Sequence, residues 1–161
     1  MRPAVAVIGL GNLLMSDEGI GVHLVRAAGQ APCALSAVEY LDLGTGGLTL
    51  LHALRGRRSA IIIDCARMGE PPGSLRRFTP EQVITLKDPA LFSLHASDLL
   101  ELLALSRRLG ECPAQVIIFG IEPARLALGD ELSAVLAARF AEYLQCITDE
   151  IRAHGLLDAG T

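Results

Sequence analysis

Four short β-rich runs, Ala4 to Ile8, Ala37 to Leu41, Ala60 to Ile63 and Gln115 to Ile121, set the narrowest limit on what this chain can fold into. Val and Ile run almost without interruption through them instead of alternating with polar residues. That is the pattern of strands covered on both faces, as in a parallel sheet between two helical layers. The segments between the runs carry apolar residues at helical spacing. Ile20, Leu24 and Ala28 form one stripe, with Ser16 or Asp17 expected as N-cap and Gly29 beyond the end. Leu48 to Leu54 gives a shorter helix. A third is expected from near Ser93 to Gly110, turning Leu99, Leu102, Leu103 and Leu105 inward. In the last, Leu132, Leu136, Phe140, Tyr143, Leu144, Ile147 and Ile151 recur every three to four residues, with Asp130 expected to cap the start and Gly155 the end.

The order is therefore β-α-β-α-β, a loop, then α-β-α. Right-handed crossovers turn this order into an α/β domain of three layers, an α/β/α sandwich. The segment Met68 to Glu81, with Pro71-Pro72-Gly73, reads as a turn, after which Ser74 to Phe78 can add an edge strand.

A chain of 161 residues, 51% hydrophobic and 20% charged, is expected to fold as a single domain over 1–161. Fourteen Lys and Arg against eighteen Asp and Glu give a net charge of -4, with no basic run longer than Arg57-Arg58 or Arg107-Arg108. Nucleic acid is therefore not expected as the ligand, because neutralising phosphates takes a clustered basic footprint. No apolar stretch approaches the roughly 20 residues that span a bilayer. The opening residues also lack a signal peptide's apolar segment and cleavage site. A cytoplasmic monomer is the expectation. Cys33, Cys65, Cys112 and Cys146 are far apart with no Cys-x-x-Cys, which fits reduced thiols better than zinc ligands or a disulfide framework.

Ligands of open α/β sheets collect outside the carboxyl ends of the strands, so polar residues there are the candidates. The first run leads into Gly9-Leu10-Gly11-Asn12 and then Asp17-Glu18-Gly19, the second ends at Asp42 and the third at Asp64. Three strand ends thus bring carboxylates to one rim. A dinucleotide loop is disfavoured, since Leu14 stands where Gly-x-Gly-x-x-Gly needs its third glycine and acids precede the helix. Gly9 and Gly11 then serve a tight turn. His95, in the first turn of a helix capped by Ser93, would be held neutral by the helix dipole, with a ring nitrogen available to a metal. Glu18, Asp64 and His95 would form a two-carboxylate, one-histidine site with open positions for a substrate group. The plainer alternatives are a solvated first-turn acid for Glu18, a helix cap for Asp64 and a structural His95. There is no Gly-x-Ser-x-Gly elbow and no His-Glu-x-x-His. Cys65 reads as a small buried hydrophobe.

Gly9-x-Gly11-Asn12-x-Leu14-x-x-Asp17-Glu18-Gly19-x-Gly21 resembles the opening signature of the hydrogenase maturation endopeptidases. The likeness continues in order through Asp42-x-Gly44-Thr45-x-Gly47, Ile63-Asp64-Cys65, Pro72-Gly73-Ser74, Ser93-x-His95 and Gly120-Ile121-Glu122-Pro123, with Leu43 where many members have a second glycine. The resemblance implies a twisted, mostly parallel five-stranded sheet, and a metal site carried over to Glu18, Asp64 and His95. It implies an endopeptidase that removes the C-terminal extension of a nickel-iron hydrogenase large-subunit precursor, cutting after a basic residue. The metal would be nickel carried by that precursor, a sign that nickel insertion is complete. Either the metal would polarise the carbonyl or a carboxylate would activate water, with Asp17 or Asp42 as helper. The alternative is a noncatalytic nickel-binding or cofactor-delivery chaperone using the same rim.

Overall fold

The computed structural model describes residues 2–31, 34, 36–84 and 96–155. Strands β1 (Val5–Gly9), β2 (Val38–Asp42), β3 (Ser59–Cys65), β4 (Leu75–Phe78) and β5 (Gln115–Ile121) form one sheet in the order β2-β1-β3-β5-β4. Four of them are parallel, and the edge strand β4 runs antiparallel to β5. Every residue of β1 and β3 is buried, as their uninterrupted apolar runs require.

The helices are α1 (Ile20–Gln30), α2 (Leu48–Leu54), α3 (Pro80–Ile84), α4 (Ala96–Arg108), α5 (Ala134–Ala138) and α6 (Phe140–Gly155). Alternation along each strand feeds two separate cores. Ala6, Ile8, Ala60 and Ile62 pack on one face with Leu54 of α2 and Leu103 of α4. Val7, Ile61 and Ile63 pack on the other with Leu24 of α1 and with Tyr143 and Ile147 of α6. This is the expected α/β/α sandwich around a mostly parallel five-stranded sheet. Among the described residues no helix is long and apolar enough to cross a membrane.

Four details differ from the expectations. A 3-10 turn, Ser16–Gly19, precedes α1, so neither Ser16 nor Asp17 caps it, and Gly29 lies inside the helix. The final helix is broken at Arg139. Its N-cap is Ser133, whose Oγ accepts from the Leu136 amide at 3.4 Å, and not Asp130. Phe140 is only half-buried, the deepest positions being Leu136, Tyr143, Ile147 and Ile151. The end of the Met68 to Glu81 segment, expected as a turn, runs into α3, which is begun by a reciprocal capping pair: Thr79 N–H donates to Gln82 Oε1 at 2.8 Å, and Gln82 N–H donates to Thr79 Oγ1 at 3.3 Å. The expected start of the third helix at Ser93 lies outside the described residues.

Candidate active site at the carboxyl ends of the strands

From β1 the chain passes to β2 on one side, while β3 lies on the other, so the crevice outside β1 and β3 is a topological switch point. The loop after β1 folds over that crevice. Leu10 N–H donates to Ile63 O at 2.9 Å and Gly11 N–H to Gly44 O at 2.6 Å. Asn12 makes an Asx turn, its Oδ1 accepting from the Leu14 amide at 2.9 Å. The amides of Met15, Ser16, Asp17 and Glu18 donate to the carbonyls of Asn12, Gly129, Arg125 and Met15. The amides of residues 14–18 are thus already engaged, four by backbone carbonyls and that of Leu14 by the Asn12 side chain. Gly11, at φ +137°, faces the Glu18 carbonyl too closely for any side chain. The absence of a side chain at Gly11 is what lets the Glu18 backbone approach this closely.

Glu18 is half-buried in the 3-10 turn. Asp64, 1% exposed, is the next-to-last residue of β3 and pairs with Gly120 of β5. The fold brings the two acids into one electrostatic neighbourhood. Burial pushes the Cys65 thiol well above the usual thiol range, and the negative charges of Asp64, Asp17, Glu18 and Glu122 push it further. Cys65 therefore stays a neutral thiol and offers no thiolate nucleophile. His95 lies outside the described residues. Among the described residues, no three His, Cys, Asp or Glu side chains form a set that could hold a metal.

The two helper candidates have different surroundings. Asp17 is fully buried: Oδ2 accepts from the amides of Ala124 at 2.9 Å and Arg125 at 2.8 Å, and Oδ1 from the Ser133 amide at 2.7 Å. These charge-assisted bonds tie the loop after β1 to the loop after β5. Ser16 reinforces the tie from a left-handed backbone, φ +51°, its Oγ donating to Ala127 O at 2.9 Å. Asp42, by contrast, is exposed at the end of β2. It accepts from Arg26 Nε at 2.8 Å and from the Gly44 amide at 3.0 Å, and lines a shallow hollow of about 250 Å³ with Gly11, Asn12 and Thr45. Leu43 still permits the turn there, because Gly44 takes the left-handed conformation, φ +54°.

Sequence reasoning gave no role to Glu122. Its buried carboxylate accepts from the Met68 amide at 2.6 Å and the Glu70 amide at 3.3 Å, fixing the chain that leaves β3. The available signal was an acid directly after a strand, on the rim that already held Glu18 and Asp64.

The family profile described as hydrogenase maturation protease (HycI) matches residues 22–150. The hydrogenase expression/formation protein HupD of Thiocapsa roseopersicina is 35% identical over 77% of the chain, which covers 56% of HupD, so the chain spans little more than half of that relative. The hydrogenase 2 maturation protease of Escherichia coli K12 is 32% identical, over 94% of this chain and 93% of that one. The solved structure of the hydrogenase maturating endopeptidase HybD from E. coli superposes with a TM-score of 0.82 at 29% identity, covering 96% of this chain and 94% of HybD. With a profile match through most of its length and the same five-stranded architecture, the chain belongs to the hydrogenase maturation protease family.

Proposed function

We propose that this chain is the endopeptidase that removes the C-terminal extension from the large-subunit precursor of a nickel-iron hydrogenase once nickel has been inserted. In this reading Glu18, Asp64 and His95 bind the nickel that arrives as part of the substrate. The observation that carries it is the placing of Glu18, in the turn after β1, and Asp64, at the end of the neighbouring strand β3, at the switch-point crevice, where both charges act on the buried Cys65 thiol. Two anionic oxygen donors and an imidazole leave positions for ligands that the precursor supplies. A precursor without nickel would lack the central contact and bind weakly, so metal loading becomes the specificity filter.

Hydrolysis adds water oxygen to the scissile carbonyl carbon, breaks the C–N bond and leaves the proton on the departing amine. Asp42, which Arg26 and the Gly44 amide orient but which stays open to solvent where Asp17 is fully buried, is the carboxylate assigned to take the water proton and return it. Asp17, with both oxygens already accepting backbone amides, acts by holding the loop that bears Glu18. The neutral Cys65 thiol takes no part. Free Cys65, Cys112 and Cys146 suit the reducing cytoplasm, where we place the reaction.

The test is incubation with a nickel-loaded large-subunit precursor, followed by intact-mass measurement. The expected result is loss of a C-terminal peptide with the wild-type chain, and none with Glu18→Gln, Asp64→Asn or His95→Ala variants that remain folded. A precursor bound but never shortened would replace this reading with a nickel-binding or cofactor-delivery chaperone.

A further inference from the structure

Arg2, Arg67, Arg108 and Arg125 hold no carboxylate among the described residues, and of these Arg67 and Arg125 line one hollow together. The chain carries more acids than bases, eighteen against fourteen, and Arg26, Arg57, Arg76 and Arg77, among others, each hold a carboxylate. Arg67 and Arg125 are exposed and, among the described residues, hold none. Among the described residues the Arg125 guanidinium makes one hydrogen bond, to the Glu131 carbonyl at 3.5 Å. Both residues line the same hollow, of about 390 Å³, with Pro123, Ala124 and Leu126. Glu122 also borders it, but its carboxylate is buried and engaged by the Met68 and Glu70 amides. The hollow adjoins the candidate site through the backbone. Arg67 follows Asp64 by three residues, the Ala66 amide donates to Ile121 O at 2.9 Å, and the Arg125 amide is bound by Asp17.

We infer that this hollow is a subsite for a carboxylate of the peptide substrate, gripped by the Arg67 and Arg125 guanidiniums. A guanidinium presents a planar fork of N–H donors that matches a carboxylate, and two without carboxylate partners attract an anion without first giving up an existing pair. The floor of Pro123, Ala124 and Leu126 suits the apolar part of a peptide. The lack of any longer basic run argues against a polyanion such as nucleic acid. The carboxylate can be an Asp or Glu side chain or the free chain end. This inference rests on the endopeptidase reading for its biological role, although the binding it describes can be measured without it.

The full chain, labelled with ¹⁵N, is titrated with three peptides while the guanidinium Nε–H signals of Arg67 and Arg125 are followed by NMR. The peptides are acetyl-tetra-alanine with a free carboxylate, the same peptide amidated, and acetyl-Ala-Glu-Ala-amide. The expected result is saturable movement of both arginine signals with one or both carboxylate peptides and none with the neutral amide. Which peptide binds identifies the source of the carboxylate. Loss of the response in an Arg67→Gln, Arg125→Gln double variant is also expected. Movement with the amide alone, or with no peptide, overturns the subsite. With a nickel-loaded precursor that the wild type cleaves, the double variant is expected to raise KM about tenfold with a smaller effect on kcat. Arg→Lys at both positions should restore part of the loss. An unchanged KM would overturn the substrate role. Should the wild type cleave no precursor, the endopeptidase reading fails while the peptide titration still judges the carboxylate site.

Discussion

Asp17 shows how one carboxylate can hold a site without entering its chemistry. Its two oxygens take three backbone amides from segments 107 to 116 residues away, so the loop bearing Glu18 is fastened to the loop after β5. Asp17→Asn removes the charge and turns an amide NH₂ toward at least one of those donors. The expected loss of stability is about 3 kcal/mol, measured by urea unfolding. Cleavage lost with an unchanged urea midpoint would instead make Asp17 a direct participant in the reaction. That Asp17 and Glu18 lie near the rim was legible from the strand-to-helix transition. That adjacent acids face different tasks was not, because spacing does not record which distant amides a carboxylate meets.

The C-terminal segment gives the same lesson for an element. Its three-to-four spacing shows a buried helical face, and the buried Leu136, Tyr143, Ile147 and Ile151 agree with it. The break at Arg139 was hidden, and beside it lies a partner from another segment. Arg139 Nη1 and Tyr143 Oη both donate to the Gly73 carbonyl at 2.6 Å, where Gly73 turns the chain at φ +88°. Ile147→Ala is expected to cost about 2 to 5 kcal/mol and the half-buried Phe140→Ala less, both read from denaturant unfolding. Equal losses would mean that Phe140 is as deeply packed as Ile147. Tyr143 adds a pH signature. Burial raises its phenol above the ordinary value of 10.0, the effect of nearby Arg139 being opposite and smaller. Above about pH 10 the unfolded chain therefore releases a proton that the folded chain keeps, and stability falls as pH rises. The slope reaches at most about 1.4 kcal/mol per pH unit. Tyr143→Phe should flatten that alkaline slope, and a slope left unchanged would assign it to other groups.

For the molecule as a whole, the critical contact is the approach of α1 to the sheet. Gly21 packs against the carbonyls of Ile63 and Leu10, and a methyl group there would collide with both. Gly21→Ala is expected to push α1 off β3 and lower stability by about 1 to 3 kcal/mol, visible as a reduced Tm. A melting temperature equal to wild type would show that the helix shifts freely. The same packing sets the site, because α1 begins where the 3-10 turn holding Glu18 ends.

Much of this architecture can be derived from local pattern. Uninterrupted Val and Ile in β3 reflect burial on both faces, three-to-four spacing reflects helical geometry, and together they select helices on either side of a parallel sheet. The acids at strand ends could be placed on one rim for the same reason, since parallel strands share a carboxyl edge. The capping pair Thr79 and Gln82 is equally local, three residues apart in the sequence. Only the tertiary structure decided the order β2-β1-β3-β5-β4, the separate surroundings of Asp17 and Asp42, the grip of Glu122 on the chain after β3, and the hollow that Arg67 and Arg125 share. Periodicity records the environment of a residue over a few neighbours, whereas these arrangements depend on amides, carbonyls and charges brought together from opposite ends of the chain.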